Sequence, residues 1–389
     1  MTTKKEGKDL SKEKFYRISP AYHDYWMKDM EQARSEDASL LLRPEGNAPL
    51  KYLFFPGCQL GASDPRYPQA AYELMLQAEP ATALLLTCCG SPAYWAGEIK
   101  MYWDIGADLR NKWVELGRPI LVTACLSCKK LINYVAPEIA TTTLYEVLAE
   151  TEGLSLPKYA REDMLALSDP CTAKDNQGVR DAVCKLLDKM SVPYVLLHKD
   201  MHTLPCCGFI GSKEGLNPDV VKKIAAKRVE ADPSPYLVYC ANCRDLFASV
   251  GKDTVHILDL LTGINGKDRK TPHLSLRHEN RLKAKALLTH GEALIMKEAK
   301  IKLVFTEEIA NKMDKNYIFE DDIRKVIDYA ESTGSKFIDD EGISIAHLII
   351  GLPTIWVEYR KLGEDEYEVV NCYTHRISLV EPGRELPKL

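Results

Sequence analysis

Residues 83–90 read Ala83-Leu84-Leu85-Leu86-Thr87-Cys88-Cys89-Gly90, a short apolar run that ends in two adjacent cysteines and a glycine. An unbroken apolar stretch of this length, stopped by a turn residue, describes a strand covered on both faces. Working outward, Lys51-Tyr52-Leu53-Phe54-Phe55 runs into Pro56-Gly57-Cys58, so a second strand delivers Cys58 into a loop. Pro119-Ile120-Leu121-Val122 is a third strand, and Cys125-Leu126-Ser127-Cys128 opens the helix after it. Helical patterns fill the gaps: Tyr67 to Gln77 (Ala70, Ala71, Leu74, Met75), and a longer helix through Trp95, Ile99, Trp103, Ile105, Leu109 and Trp113. Strands alternating with helices predict parallel β-α-β units with right-handed crossovers.

The same order is written a second time. Met164-Leu165-Ala166-Leu167 leads to Asp169-Pro170-Cys171, a helix runs from Val179 to Met190, and Tyr194-Val195-Leu196-Leu197 precedes Cys206-Cys207-Gly208. Tyr236-Leu237-Val238-Tyr239 delivers Cys240-Ala241-Asn242-Cys243, and Val255-His256-Ile257-Leu258 reads as a closing strand. Ten of the twelve cysteines fall in this doubled pattern, with gaps of 29 and 35 residues in the first copy and 34 and 32 in the second. Every cysteine group then lies past a strand carboxyl end, the edge on which open α/β sheets bind ligands. A C-x-x-C at a helix start adds free N–H groups and the positive end of the helix dipole, both favourable to anionic thiolates. Gly90 and Gly208 let the backbone turn tightly beside the cysteine pairs. The fold class expected is α/β: two tandem cysteine-rich β-α-β repeats with cluster sites at strand carboxyl ends, plus a small C-terminal α+β module.

The pattern points to metal chemistry, and to iron before zinc. Thiolates select zinc, copper(I) or iron–sulfur clusters. A structural zinc ion closes with four ligands, so five cysteines per copy exceed what one ion can use. An adjacent pair cannot easily turn both thiolates onto one ion, yet it can reach two irons of a cluster. Disulfides are the other reading and need an oxidising compartment. The start, Met1-Thr2-Thr3-Lys4-Lys5-Glu6-Gly7-Lys8-Asp9, has no apolar stretch behind it, and no run of about 18 apolar residues occurs. The most apolar late stretch, Ile343 to Val357, is broken by His347, Gly351 and Pro353. The expectation is a protein of the reducing cytoplasm with no membrane span.

A chain of 389 residues with a formal charge of −5 suits several domains and argues against nucleic acid as a partner. The boundaries read as an N-terminal helical extension (1–48), the two repeats (49–155 and 156–265), a basic linker and helix (266–304) and the C-terminal module (305–389). Residues 267–302 are basic (Lys267, Arg269, Lys270, Arg277, Arg281, Lys283, Lys285) and 306–342 acidic (Glu307, Glu308, Glu320, Asp321, Asp322, Asp339, Asp340, Glu341). A docking surface and a solvated linker beside a solvated helix both fit that asymmetry. Within 10–40, Phe15, Tyr16, Ile18, Tyr22, Tyr25, Trp26, Met27 and Met30 predict a helix packing on the chain itself or on a partner. An amphipathic helix is expected over 281–302. A short helix from Asp321 to Ser332 stops at Gly334, and strands follow at Ile343–Ile350, Thr354–Arg360, Glu366–Cys372 and His375–Val380, with a turn at Gly363-Glu364-Asp365.

The doubled motif C-x(about 30–38)-C-C-G-x(about 33–36)-C-x-x-C, spanning 49–265, resembles the CCG domain pair of the B-type subunit of heterodisulfide reductase. Iron–sulfur subunits of glycolate and lactate oxidases and of some archaeal succinate dehydrogenases are related to that family. The resemblance implies two noncubane [4Fe–4S] clusters. Cys58, Cys88, Cys89, Cys125 and Cys128 would hold one, and Cys171, Cys206, Cys207, Cys240 and Cys243 the other; family members with a degenerate motif carry zinc or lose a cluster. It also implies an electron-transferring oxidoreductase subunit of an anaerobic complex, with no flavin on this chain. Its partner would be a flavin-binding protein like the A-type subunit of heterodisulfide reductase, or a ferredoxin-like donor. In the reductase itself a disulfide is cleaved between two such clusters in one-electron steps. The sequence departs from the family at Phe209-Ile210-Gly211-Ser212-Lys213, where a glycine-rich tail often follows the second CCG, and it has no ferredoxin run of C-x-x-C-x-x-C-x-x-x-C. The altered tail after Cys207 and the large N- and C-terminal extensions favour a divergent member built into a larger complex, such as the electron-transfer component of a class II benzoyl-CoA reductase. The iron–sulfur subunit of a lactate- or glycolate-type dehydrogenase and a zinc-bound, non-enzymatic scaffold are the alternatives.

No catalytic residue is assigned. Cys184 and Cys372 read as inert buried thiols. His198 and His202, near Cys206, are either proton donors or ordinary surface histidines. Lys129, Lys130 and Arg244 follow the C-x-x-C motifs and either offset cluster charge or lie on helix surfaces.

Overall fold

The computed structural model describes residues 20–46, 48–159, 163–174, 176–209, 218–264, 266, 271–289, 301–350 and 353–375. Phe15, Tyr16, Ile18, residues 210–213 of the tail after the second CCG, Lys267, Arg269, Lys270, residues 290–300 of the expected 281–302 helix and residues 376–380 lie outside them. The protein is a mixed α/β chain whose sheets contain parallel strands.

The chain opens with α1 (Pro20–Arg34) and the short β1 (Leu40–Leu42), then alternates β2 (Tyr52–Phe55), α2 (Cys58–Ser63), α3 (Arg66–Ala78), β3 (Thr82–Leu86), α4 (Ser91–Ala96), α5 (Ile99–Glu115), β4 (Ile120–Thr123), α6 (Leu126–Val135), β5 (Thr141–Thr143) and α7 (Leu144–Glu150). These strands form one sheet in the order β1-β3-β2-β4-β5, parallel except for β1, which pairs antiparallel along the outer edge of β3. A second sheet follows from β6 (Leu165–Leu167), α8 (Gln177–Lys189), β7 (Tyr194–Leu196), α9 (Pro218–Val229), β8 (Tyr236–Val238), α10 (Ala241–Ser249), β9 (Thr254–His256) and α11 (Ile257–Thr262). Its order is β7-β6-β8-β9, parallel throughout. In both sheets the first strand carrying a cysteine group sits between the second and the third, which is what short parallel crossovers on either side of one starting strand produce.

The two sheets share a core. Phe54, Leu84 and Val122 belong to the same apolar cluster as Leu165, Leu167 and Leu237, with residues of α3, α7 and α8 between them. The alternate positions Leu53 and Phe55 face the other way, into a cluster with Trp26, Met30, Tyr102 and Ile105. This is the period-two alternation of a strand covered on both sides. Fully burying a side chain such as Phe54 contributes about 1.5–3 kcal/mol.

Helix α12 (Leu274–Leu288) crosses back over α2 and α3. The C-terminal unit comprises β10 (Lys302–Val304), α13 (Glu307–Lys315), α14 (Glu320–Thr333), β11 (Phe337–Ile338), β12 (Ser344–Ile349), β13 (Thr354–Lys361) and β14 (Glu366–His375). Its sheet, β10-β14-β13-β12-β11, is antiparallel apart from the β10–β14 pair. No described helix is long and apolar enough to cross a membrane.

Several expectations are corrected. Cys58 is the first residue of α2 rather than a loop residue. The helix expected from Trp95 to Trp113 is two, separated at Gly97, which takes φ +83°. Val255–Leu258 is half strand, because His256 caps α11 and ends β9 there. His375 completes β14 instead of beginning another strand. The 281–302 helix runs instead from Leu274 to Leu288, and Lys302 begins β10; within the basic segment Arg277 and Arg281 are buried, whereas Lys283 is exposed. Tyr25 and Trp26 of α1 pack on the chain itself, Tyr25 stacked on Tyr317 and Trp26 buried against Trp95 and Phe209.

Candidate metal centre

Five of the six cysteine groups follow the carboxyl end of a strand within four residues, whereas Cys206 and Cys207 come ten residues after β7, past a 3-10 turn at Met201–Thr203. Cys58 follows β2 through Pro56 and Gly57; Cys88 and Cys89 follow β3; Cys125 follows β4 and is the N-cap of α6 at φ −117°, ψ 119°. On the second sheet Cys171 opens a short 3-10 turn after β6. Cys240 follows β8 and caps α10 at φ −136°, ψ 119°, nearly the same conformation as Cys125. The residues after the cysteine pairs, Gly90 and Gly208, take φ +84° and +114°, a region that side chains rarely enter.

The structure brings each set of five thiols together, and in the same order. In the first site Cys58 touches Cys88 at 3.4 Å between sulfurs. Cys88 interacts in turn with Cys89, Cys89 with Cys128, and Cys128 with Cys125. In the second, Cys171 interacts with Cys206, Cys206 with Cys207, Cys207 with Cys243, and Cys243 with Cys240. Each adjacent pair thus forms the middle of a chain of five, with the first cysteine at one end and the C-x-x-C at the other.

Charge is distributed unevenly along each chain of thiols. In the first site Cys89 is held well below the usual thiol range, because Cys128 and Cys88 donate to its sulfur; the Ser91 hydroxyl, 2.8 Å away, and the Ser91 N–H add to this against the opposing effect of burial. Cys88 and Cys128 are pushed up, by their bonds to Cys58 and to Cys125 respectively, by their bonds to Cys89 and by burial. In the second site Cys240 is the lowered thiol: Cys243 donates to it, burial opposes, and the N–H groups of Cys243 and Asn242 at the start of α10 point at it. Cys171, Cys207 and Cys243 are pushed up, chiefly by the neighbouring sulfurs Cys206, Cys206 and Cys207.

Among the described residues no three His, Cys, Asp or Glu side chains are arranged to hold one metal ion. The donor set, five soft thiols gathered in each site with backbone N–H groups on Cys89 and Cys240, exceeds the four ligands that one zinc ion takes and fits a multi-iron sulfide group better.

The shell around the thiols includes residues the sequence does not reveal. Arg34 donates to the Cys88 carbonyl at 3.3 Å, and Arg228 to the Cys206 carbonyl at 3.2 Å, the same position in each pair. Arg281 donates to the Cys58 carbonyl at 3.3 Å and to Asp29 at 2.6 Å. Burial opposes its charge, but Asp29 and then Cys58 outweigh that and hold the guanidinium above its ordinary value. Gln59 donates to Asp29 at 3.0 Å and accepts from Arg277, which also pairs with Asp245 at 2.9 Å. Asp245 lies two residues after Cys243, so one buried polar chain runs from the first site to the second. The i, i+4 spacing of Arg277 and Arg281 on one helix face was the available signal.

Other candidates take quieter places. Arg244 is buried and pairs with Asp245 at 3.2 Å, Lys129 pairs with Glu146 at 3.5 Å, and Lys130 is exposed. His198 offers its carbonyl to Arg180 at 2.7 Å and burial lowers its imidazole; His202 is exposed, with its N–H on Asp200. Cys372 is buried and pushed up to about 11 by burial, whereas Cys184 is only half-buried.

Residues 52–133 match the cysteine-rich CCG domain family. That span contains the whole first site, Cys58 to Cys128. CCG domains are commonly redox-related, and together with twelve cysteines the match points to iron–sulfur binding and redox function. No curated protein matches the chain significantly.

Proposed function

We propose that this protein is an iron–sulfur electron-transfer subunit similar to the B-type, CCG-domain subunit of heterodisulfide reductase. Cys58, Cys88, Cys89, Cys125 and Cys128 hold one noncubane [4Fe–4S] cluster, and Cys171, Cys206, Cys207, Cys240 and Cys243 the other. The observation that supports this most is the identical order of thiol interactions in the two sites, each on a strand carboxyl edge. When bound, such clusters take up and release single electrons. The chain's own part is to supply ten thiolates, to direct the Ser91, Asn242 and Cys243 N–H groups at two of them, and to keep most of the sulfurs out of water. Electrons come from a partner, a flavin-binding protein like the A-type subunit of the same reductase or a ferredoxin-like donor, in the cytoplasm of an anaerobe. A benzoyl-CoA reductase complex of class II is one assembly in which such a protein belongs.

Iron, zinc and acid-labile sulfide content of anaerobically purified protein, with EPR at partial oxidation, tests the reading. About eight irons and eight sulfides per chain, with signals unlike cubane clusters, are expected. One or two zinc ions with little iron would leave only a scaffold.

A further inference from the structure

The polar chain around the first site holds one group whose bonding is incomplete. Arg281 and Asp29 are 4% and 2% exposed in their side chains, so this is a buried ion pair. Asp29 takes Nη2 and the Cys58 carbonyl takes Nε, but Nη1 has no hydrogen-bond partner among the described residues. A buried cation with an unused donor is costly unless an anion lies within reach. Arg281 and Cys58 line the same small pocket, together with Gly61 and Thr87. Among the described residues, the equivalent carbonyl in the second site, that of Cys171, receives only the backbone N–H of Lys174, at 3.3 Å. Packing locks the guanidinium in place: Asn280 on the same helix donates to the Ala62 carbonyl at 3.0 Å, and a methyl group on Gly61 would come within 3.3 Å of Ala284.

We propose that Arg281 is a positioning residue that offsets the negative charge of the first cysteine site and makes that site the more easily reduced of the two. The inference rests on the iron–sulfur reading above. A fixed cation in a poorly solvated site favours the state with one electron more, and Asp29 tempers it. Removing Arg281 and removing the charge of Asp29 therefore act in opposite directions, which a merely structural role would not do.

The test is a redox titration of the full chain with dithionite as the one-electron donor, followed by EPR, with the two signals assigned through Cys89→Ser and Cys207→Ser. In Arg281→Gln the first-site reduction equilibrium should fall about tenfold, a shift of about 59 mV to lower potential. In Asp29→Asn it should rise by a similar factor, and Arg281→Lys should restore most of the loss. The second-site signal should stay within about twofold in all three, whereas Arg228→Gln should move only that signal. Should Arg281→Gln fail to retain first-site iron, Arg281→Lys and Asp29→Asn are read for the same site selectivity. Equal movement of both signals, shifts of one sign in Arg281→Gln and Asp29→Asn, or no shift in either would overturn the proposal. Wild-type protein without iron would instead overturn the iron–sulfur reading itself.

Discussion

Cys58 and Cys171 occupy the same place in their sheets, and the thiols behind them interact in the same order, yet the two sites are enclosed differently. In the first, four of the five cysteines are buried, and α1 and α12 lie over them with Trp26, Met30 and Arg281. In the second only Cys207 and Cys243 are buried, in a small cluster with Tyr236, Val238 and Phe247. The contrast extends to the strands. β3 is buried along its length, with β1 paired to its outer edge. Its counterpart β7 is an edge strand, and Val195 and Leu196 are 42% and 38% exposed. The same set of thiols is therefore more fully enclosed in the first site than in the second.

The largest expected effect comes from unroofing the first site. Trp26→Ala deletes a ring that is 1% exposed and should cost about 3–5 kcal/mol in chemical denaturation. In air its first-site iron should then be lost as fast as second-site iron; unchanged first-site lifetimes would show that α1 is not the barrier. Next comes crowding. Gly57→Ala places a methyl 3.2 Å from the Cys128 sulfur at φ +82°, and should cost about 1–3 kcal/mol while lowering iron at the first site alone. Equal iron loss at both sites would dissolve the distinction.

A smaller effect separates the sites by pH. His278, on the helix that roofs the first site, has its imidazole lowered first by burial and then by Arg281. Its folded value lies below its unfolded one, so the unfolded chain binds the extra proton and stability falls as pH drops below about 6.5. The slope attributable to one such group is at most about 1.4 kcal/mol per pH unit. Urea midpoints between pH 7.5 and 5 should fall less steeply in His278→Gln than in wild type, and identical slopes would remove His278 from the account. Smallest of all, Arg228→Gln removes an exposed donor from the Cys206 carbonyl, and should change thermal stability by no more than about 0.5 kcal/mol.

The strands, the cysteine groups at their ends and both C-x-x-C helix starts are legible in the sequence because they rest on local pattern. What encloses the first site is not. Arg277 and Arg281 look like solvated charges until Asp29 and Asp245 meet them, and Asp29 lies 252 residues from Arg281 along the chain. β1 is too short to announce itself, and the interruption at Gly97 is masked by continuous helical spacing around it. Nor does Cys58 advertise a helix start, since Pro56 and Gly57 before it read as a turn.

The most direct measurement of the central claim is iron per chain in Cys89→Ser, Cys207→Ser and the double variant, each purified anaerobically beside wild type. Two equivalent five-thiol sites predict that each single variant keeps about half of the wild-type iron and the double variant almost none. Full iron retention in Cys207→Ser, or complete loss in either single variant, would contradict two independent sites.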